Sequence, residues 1–378
     1  MIAFLIFISV VLTVYGFGNY YIILRGWQAL PDIAWLKTVY LTIAIGLAVS
    51  FIVAMLFENK IPVKLTGILQ LIGSSWLFAM LYLAMAILFF DVLRIMNHFW
   101  GIFPEGIIQH YALVKLIALG TTIIGIVCLF TYGYYQLSHP KTVNLTLKVN
   151  KHVDGLKQLR IVAASDWHIG HIIRKERLKS YVDKINALNP DIILLPGDII
   201  DRDLRPVIAQ NMKEELLQLK APFGVYAIPG NHEYFGNIKS NLDYLNLSGI
   251  RILKDETIKI SNFYLIGRDD YSNKHRKPLD SLLQGVNKAL PLLLLDHQPH
   301  KLIEAQQNGI DLQLSGHTHN GQVWPFSYVV NRIFELGHGY LQKGNTHFYV
   351  SSGLGLWGPL LRIGTQSEVV CITLEFAD

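Results

Sequence analysis

Four apolar runs, at about 2–23, 34–57, 65–90 and 111–134, are each long enough to cross a bilayer, because a spanning helix needs about 20 mostly apolar residues. One such run could be the buried helix of a soluble core. Four in succession, joined by short polar links, point to a four-helix transmembrane region over 1–137. The first run lacks a basic leading segment and a small-residue cleavage pattern, so it does not read as a signal peptide. The chain of 378 residues is 51% hydrophobic and 16% charged, and the charges concentrate after about residue 141. A linker over 138–157 and a soluble domain over 158–378 account for the remaining length.

With four spans both ends lie on one side of the membrane. That side carries Lys60, Lys64, Lys141, Lys148 and Lys151, and the other carries Arg25, Lys37, Arg94 and Lys115. The balance tips towards a cytoplasmic C-terminal domain. Asp91 and Arg94, one turn apart, read as an interfacial ion pair rather than a transport pathway. Cys128 and Cys371 are too far apart in the pattern to predict a disulfide. The formal charge of +5 comes without any Lys/Arg block interleaved with aromatics, which excludes nucleic-acid binding as an expectation.

The soluble part reads as βα units. Short apolar runs at 158–164, 191–195, 224–228, 291–295 and 310–314 suit buried strands. The stretch 174–188 sets Leu178, Tyr181, Val182, Ile185 and Leu188 at helical spacing and stops at Asn189-Pro190. This alternation predicts an α/β domain. The loops that follow the five strands read SDWHIGH, PGDIIDRD, PGNHEYFG, DHQP and SGHTHNG. Ligand sites of open α/β sheets form outside the carboxyl ends of the strands, so these loops deliver their polar groups to one edge.

The pooled candidates are Asp166, His168, Asp198, Asn231, His297, His317 and His319. Imidazole nitrogens mixed with carboxylate and amide oxygens, and no thiolate, suit Mn, Fe or Zn and argue against a structural cysteine site. Seven donors exceed one tetrahedral ion and suffice for two ions if a carboxylate is shared. Two ions about 3.5–4 Å apart can activate water and clamp an in-line phosphoryl displacement. Gly197, Gly230 and Gly316 precede the donors, where a residue without Cβ eases a sharp turn and a close approach. Asp296 and His300 compete with His297 for its role. His171 and His300 read more readily as plain loop or helix-start residues than as site residues, and Glu233 more readily as a structural group or hydrogen-bond acceptor than as a ligand. Arg202 and Arg362 are candidates to steer a phosphate, since guanidinium pairs well with its oxygens. Trp167, Tyr234 and Phe235 either line the entrance or pack beside it.

Taken in order, Asp166-Trp167-His168, Gly197-Asp198-Ile199-Ile200-Asp201-Arg202, Gly230-Asn231-His232-Glu233, His297 and Gly316-His317-Thr318-His319 resemble the calcineurin-like metallophosphoesterase superfamily. The ending GLGLWGPLLR…SEVV is similar to its bacterial membrane-associated branch. That branch often carries Pro-Pro-Glu where this chain has Gln366-Ser367-Glu368. The resemblance implies an α/β sandwich of two mixed sheets flanked by helices, in a multi-pass protein of the bacterial inner membrane. It implies one metal held by Asp166, His168, Asp198 and His319, and a second by Asp198, Asn231, His297 and His317, with Asp198 bridging. It further implies attack of a metal-bound hydroxide on phosphorus, with His232 as catalytic acid or charge stabiliser and Asp201 orienting it. The expected substrate is a phosphodiester, pyrophosphate or phosphomonoester, with a lipid-linked one suggested by the anchor. The rival reading is a non-catalytic metal-binding domain that regulates the membrane region, against which stand His232 and Asp201, unnecessary for binding alone.

Overall fold

The computed structural model describes residues 2–58 and 60–377, without the side chains of residues 2–5, 7 and 8. The chain divides into two compact units, Met1–Tyr132 and Gly133–Asp378.

The first unit is helical. Among the described residues, three helices are long and apolar enough to cross a membrane: Ala34–Phe57, Val63–Trp100 and Tyr111–Ser138. This corrects the expectation of four. The first apolar run does lie within a helix, Ile2–Ala29, but part of it falls outside the described side chains. The described part carries Tyr15, Asn19, Tyr20, Tyr21 and Arg25, whose polar groups dilute its apolar character. The helices Ala34–Phe57 and Val63–Trp100 touch at Gly73, where a Cβ would meet the Phe51 backbone nitrogen at 2.6 Å. Small residues permit such close backbone approach in bilayers. Asp91 is paired with Arg94 at 3.1 Å and with Arg25 at 2.5 Å, and it accepts a hydrogen bond from the Tyr21 hydroxyl at 2.7 Å.

The second unit is a sandwich of two sheets. Its strands, in chain order, are β1 (Lys141–His152), β2 (Gln158–Ala163), β3 (Ile192–Leu195), β4 (Val225–Ala227), β5 (Arg251–Ile252), β6 (Glu256–Ile260), β7 (Phe263–Gly267), β8 (Leu292–Leu295), β9 (Leu312–Ser315), β10 (Gly339–Lys343), β11 (Thr346–Val350) and β12 (Glu368–Ala377). One sheet runs β1-β12-β2-β3-β4-β5 and the other β10-β11-β9-β8-β7-β6. Both are mixed: β2, β3, β4 and β5 are parallel, as are β7, β8, β9 and β11, whereas β12 meets β2 antiparallel, and β6 and β10 close the second sheet antiparallel.

The uninterrupted apolar runs of β3 and β8 follow from burial on both faces. Ile192 and Leu194, with Leu293 and Leu295, fill the layer between the sheets. Their neighbours Ile193 and Leu195 face a second core, where Leu178, Tyr181, Val182 and Ile185 of the helix Lys175–Asn186 pack. Leu292 and Leu294 face a third. The stretch 138–157, expected as a linker, instead holds β1, paired in parallel register with β12 from Lys141↔Glu368 onward. Alternation explains it: Val143, Leu145, Leu147 and Val149 turn to the inter-sheet core while the residues between them are polar, a half-buried strand pattern.

Candidate metal centre

Every strand that carries a candidate donor ends at the same cleft. The loops after β2, β3 and β4 come from one sheet, and those after β8 and β9 from the other. They are laced together by backbone bonds: Asp166 N–H to Gly197 O at 3.1 Å, His168 N–H to Asp198 O at 3.0 Å and Gly316 N–H to His297 O at 2.9 Å. Asp166, His168, Asp198, His317 and His319 all hold positive φ, between 49° and 70°. Side chains other than glycine rarely stay in that region, and such strain gathers at functional sites. The glycines make room for carboxylates. A Cβ on Gly230 would collide with the Asp198 side chain, and one on Gly316 with the Asp166 side chain.

Three overlapping groups of side chains have donor atoms close enough to hold a cation: Asp166 with His168 and His319, His168 with Asp198 and His232, and Asp198 with His297 and His317. In the first, Nε2 of His168 faces Nε2 of His319 at 3.1 Å, and Asp166 Oδ1 lies 3.4 Å from His319 Nε2. In the last, His297 Nε2 lies 3.2 Å from Asp198 Oδ2 and 3.1 Å from Asn231 Oδ1. His317 Nδ1 lies 2.7 Å from the same Asn231 oxygen. Asp198 Oδ2 stands between the two sets, 3.8 Å from His168 Nε2. Asp166, His168, Asp198, His297 and His319 are buried.

Burial decides the charge of these groups. It lowers His168 to about 3, with His232 adding to the effect, and His317 to about 4, with His297 adding; His319 falls well below its ordinary value. Those three rings are neutral, the state a metal ligand requires. Burial works against a charged His297 as well, but the Asp198 carboxylate outweighs it and holds that ring well above its ordinary value. His297 Nδ1 donates to Pro196 O at 2.7 Å, which turns Nε2 into the cluster and fixes the ring.

The donor set fits divalent ions. Lone pairs of the neutral His168, His317 and His319 rings converge with carboxylate and amide oxygens on two common points, and an ion at the second would displace the proton that Asp198 favours on His297. Nδ1 of His168 is buried without a partner, so nothing but the cluster occupies that ring.

Beside the cluster, His232 Nδ1 bonds Asp201 Oδ1 at 2.8 Å, and the His232 backbone N–H donates to Asp198 Oδ1 at 2.8 Å. Burial would lower the His232 pKa, but Asp198 and Asp201 raise it to about 9. Arg202 is exposed beside Asp201. The His297 alternatives resolve geometrically: Asp296 is paired with Arg268 at 3.2 Å and Arg276 at 2.5 Å, and His300 stacks near Phe334 and Tyr271. His171 pairs with Asp203 at 3.2 Å. Trp167 is fully buried and donates to Ala164 O, so it packs, whereas Phe235 is exposed with its ring 5.2 Å from that of His232.

Two supporting residues exceed what the sequence suggested. Glu233 accepts from the backbone N–H groups of Asp198, Ile199, Ile200 and Gly230 at 2.7–3.1 Å, clamping the loops after β3 and β4 together. Arg362, a candidate to meet phosphate, is fully buried behind His319 and donates to Gly355 O at 2.6 Å and Gly353 O at 3.2 Å. The Gly-rich ending GLGLWGPLLR is the signal for that burial, since its glycine carbonyls are the acceptors.

A family model described as calcineurin-like phosphoesterase matches residues 159–321. An "uncharacterized metallophosphoesterase" of Helicobacter pylori strain J99 is 34% identical over 252 residues, which cover 65% of this chain and 67% of that protein. A "transmembrane protein with metallophosphoesterase domain" of Danio rerio is 32% identical over 269 residues, covering 66% of this chain and 61% of that protein. Among solved structures, a dimetal phosphatase from Danio rerio aligns with TM-score 0.38 at 12% identity, covering 58% of this chain and 99% of that one.

Proposed function

This chain belongs to the calcineurin-like phosphoesterases, a family of metal-dependent hydrolases, and from that premise we propose that it is a membrane-anchored phosphohydrolase working with two divalent ions. The observation that carries the reading is the pair of donor sets that share Asp198. Asp166, His168 and His319 form one group, and Asp198, His297 and His317 another, with the Asn231 oxygen 2.7 Å from His317 Nδ1; the reading assigns Asp198 to both ions. When bound, ions of the Mn, Fe or Zn class supply Lewis acidity, lowering the pKa of water and neutralising phosphoryl oxygens.

The protein's own residues do the rest. Asp201 holds the proton on His232 Nδ1, so Nε2 is the atom left to give a proton to the leaving oxygen or to stabilise its charge. The neighbouring Asp198 and Asp201 carboxylates favour the protonated ring. Arg202, on the loop that carries Asp198 and Asp201, is the basic side chain offered to a substrate phosphate. The test is turnover of phosphomonoesters and phosphodiesters by the full chain loaded with Mn. Asp198→Asn is expected to lose metal and turnover together. Loss of metal with turnover intact would sink the reading.

What supports a lipid-linked substrate is a helix just past the His317–His319 loop. Phe326–Ile333 buries none of its residues. Its apolar members Phe326, Val329 and Ile333 share one face at helical spacing and are 42%, 51% and 64% exposed. An apolar stripe normally faces a core; one left open suits an interface with lipid. The same preparation is to be assayed on lipid-borne and water-soluble phosphodiesters, and faster cleavage of the soluble compounds counts against a lipid-linked substrate. The bacterial inner membrane is what the branch resemblance implies, and the counts of Lys and Arg favour the catalytic domain in the cytoplasm. Protease access in spheroplasts checks this, digestion of the domain in intact ones contradicting it.

A further inference from the structure

The first unit carries a basic cleft that the hydrolase chemistry does not use. Two adjoining hollows, of about 630 and 490 Å³, share Arg25, Arg94 and Tyr111 in their walls. Lys37 and Lys115 line the smaller one. The walls therefore bring four cations together from four helices, and the only carboxylate among the lining residues is that of Asp91. Both Asp91 oxygens are already taken, Oδ2 by Arg25 and Tyr21 and Oδ1 by Arg94. Asp32 pairs with Lys37 at 2.9 Å, which still leaves the cations in excess by two. Among the described residues the Lys115 ammonium meets a carbonyl, Gln28 O at 2.8 Å, and the Tyr111 ring at 5.6 Å, but no carboxylate. Nε of Arg25 is buried with no hydrogen-bond partner.

Cations in excess, with a buried donor unmet, are an arrangement that an anion completes. Guanidinium groups at two corners suit the tetrahedral oxygens of a phosphate. The cleft is also apolar on one flank, where Ile95, Phe99 and Ile108 line it and are themselves exposed. Three of the four helices that build it, all but the one carrying Arg25, have the length and composition of membrane spans. A cluster of guanidinium and ammonium groups beside an apolar flank matches a phosphate head group and its acyl chains, whichever leaflet it faces. We propose that Arg25, Arg94, Lys37 and Lys115 form a binding site for a phosphate-bearing anionic head group, with its acyl chains along the apolar flank.

The test uses the full chain, purified in a neutral detergent and examined by native mass spectrometry with phosphatidylglycerol, phosphatidylcholine or inorganic phosphate added. Phosphatidylglycerol is expected to remain bound at least tenfold more than phosphatidylcholine. Arg94→Gln with Lys115→Gln should reduce that retention about tenfold. Those two are chosen because Arg25 is the more buried of the two arginines on Asp91, with its side chain 28% exposed against 47% for Arg94; an unchanged melting temperature of the double variant verifies folding. Inorganic phosphate that displaces the lipid at equal concentration would mean a site for soluble anions, overturning the lipid assignment. Equal retention of the two lipids, or no effect of the double variant, would overturn the site itself.

Discussion

At the scale of single residues, the cleft is a place where local backbone preference is overruled. Five donor-bearing residues sit at positive φ, a conformation that costs roughly 1–2 kcal/mol for a side chain with a Cβ. Something must hold them there, and for Asp198 and its loop that is Glu233, with four backbone N–H groups on one buried carboxylate. Glu233→Ala is expected to destabilise the domain by about 3–5 kcal/mol, because several buried donors lose their partner at once; a melting temperature within one degree of the parent would contradict the clamp. His232→Ala is expected to cut turnover by about 10²–10⁴-fold with metal content unchanged, as read by elemental analysis beside the assay. A fall in bound metal would instead make His232 a ligand. The sequence displayed the donors plainly, since each loop follows an apolar run and three of the five place a Gly just before a donor. It did not display Glu233's four acceptances or the burial of Arg362, because both depend on which backbone groups of distant loops come within reach.

At the scale of elements, the instructive strand is β12. Its first residue, Glu368, is buried and receives the Ser352 N–H at 2.9 Å, the Tyr349 hydroxyl at 3.1 Å, His338 Nε2 at 3.2 Å and Lys141 Nζ at 3.3 Å. Burial alone would raise its pKa, but His338, Ser352 and Lys141 bring it down from 4.5 to about 2. A folded-state pKa below the unfolded one stabilises the fold above pH 4.5, and that contribution drains away as the pH falls towards 2. The domain is thus expected to lose about 3 kcal/mol of stability over that window from this group, and Glu368→Gln to flatten the loss; denaturation midpoints across the pH range measure it. The branch resemblance had placed this residue in a Pro-Pro-Glu turn, and only the acidic member of that turn is present here. The packing shows why that member matters to the fold: it ties β1, β11 and β12 together. The strands most legible beforehand were those buried on both faces. β1 was read as a linker because its alternation is diluted by Lys, Asn and Thr, and the short β5 and β10 gave no periodic signal to detect.

At the scale of the whole molecule, the two sheets contribute unequal halves of one site. Asp166, His168, Asp198 and Asn231 follow strands of the first sheet, and His297, His317 and His319 those of the second. Ions bound between them would fasten the sheets across the cleft, so metal and stability are linked. Chelation is expected to lower the melting temperature by several degrees, on the order of 1 kcal/mol or more, and Mn to restore it; a midpoint indifferent to chelator would show that the loops hold the sheets unaided. The division into an apolar region and a soluble α/β domain was visible from composition alone. The count of spans was less legible: three helices qualify among the described residues, and the first apolar run lies partly outside the described side chains.

The position of β12 between β1 and β2 has a bearing on how the protein is made. Translation delivers β1 directly after the last long apolar helix, yet its neighbour in the sheet is synthesised after all the other strands. Until then both β1 and β2 present an unpaired edge to their surroundings, and such edges invite pairing with other chains. The nascent domain is therefore most vulnerable to proteases and to aggregation late in synthesis, when everything but β12 has left the ribosome. An expression clone begun at residue 158 would make that condition permanent, by removing the strand that covers the outer edge of β12.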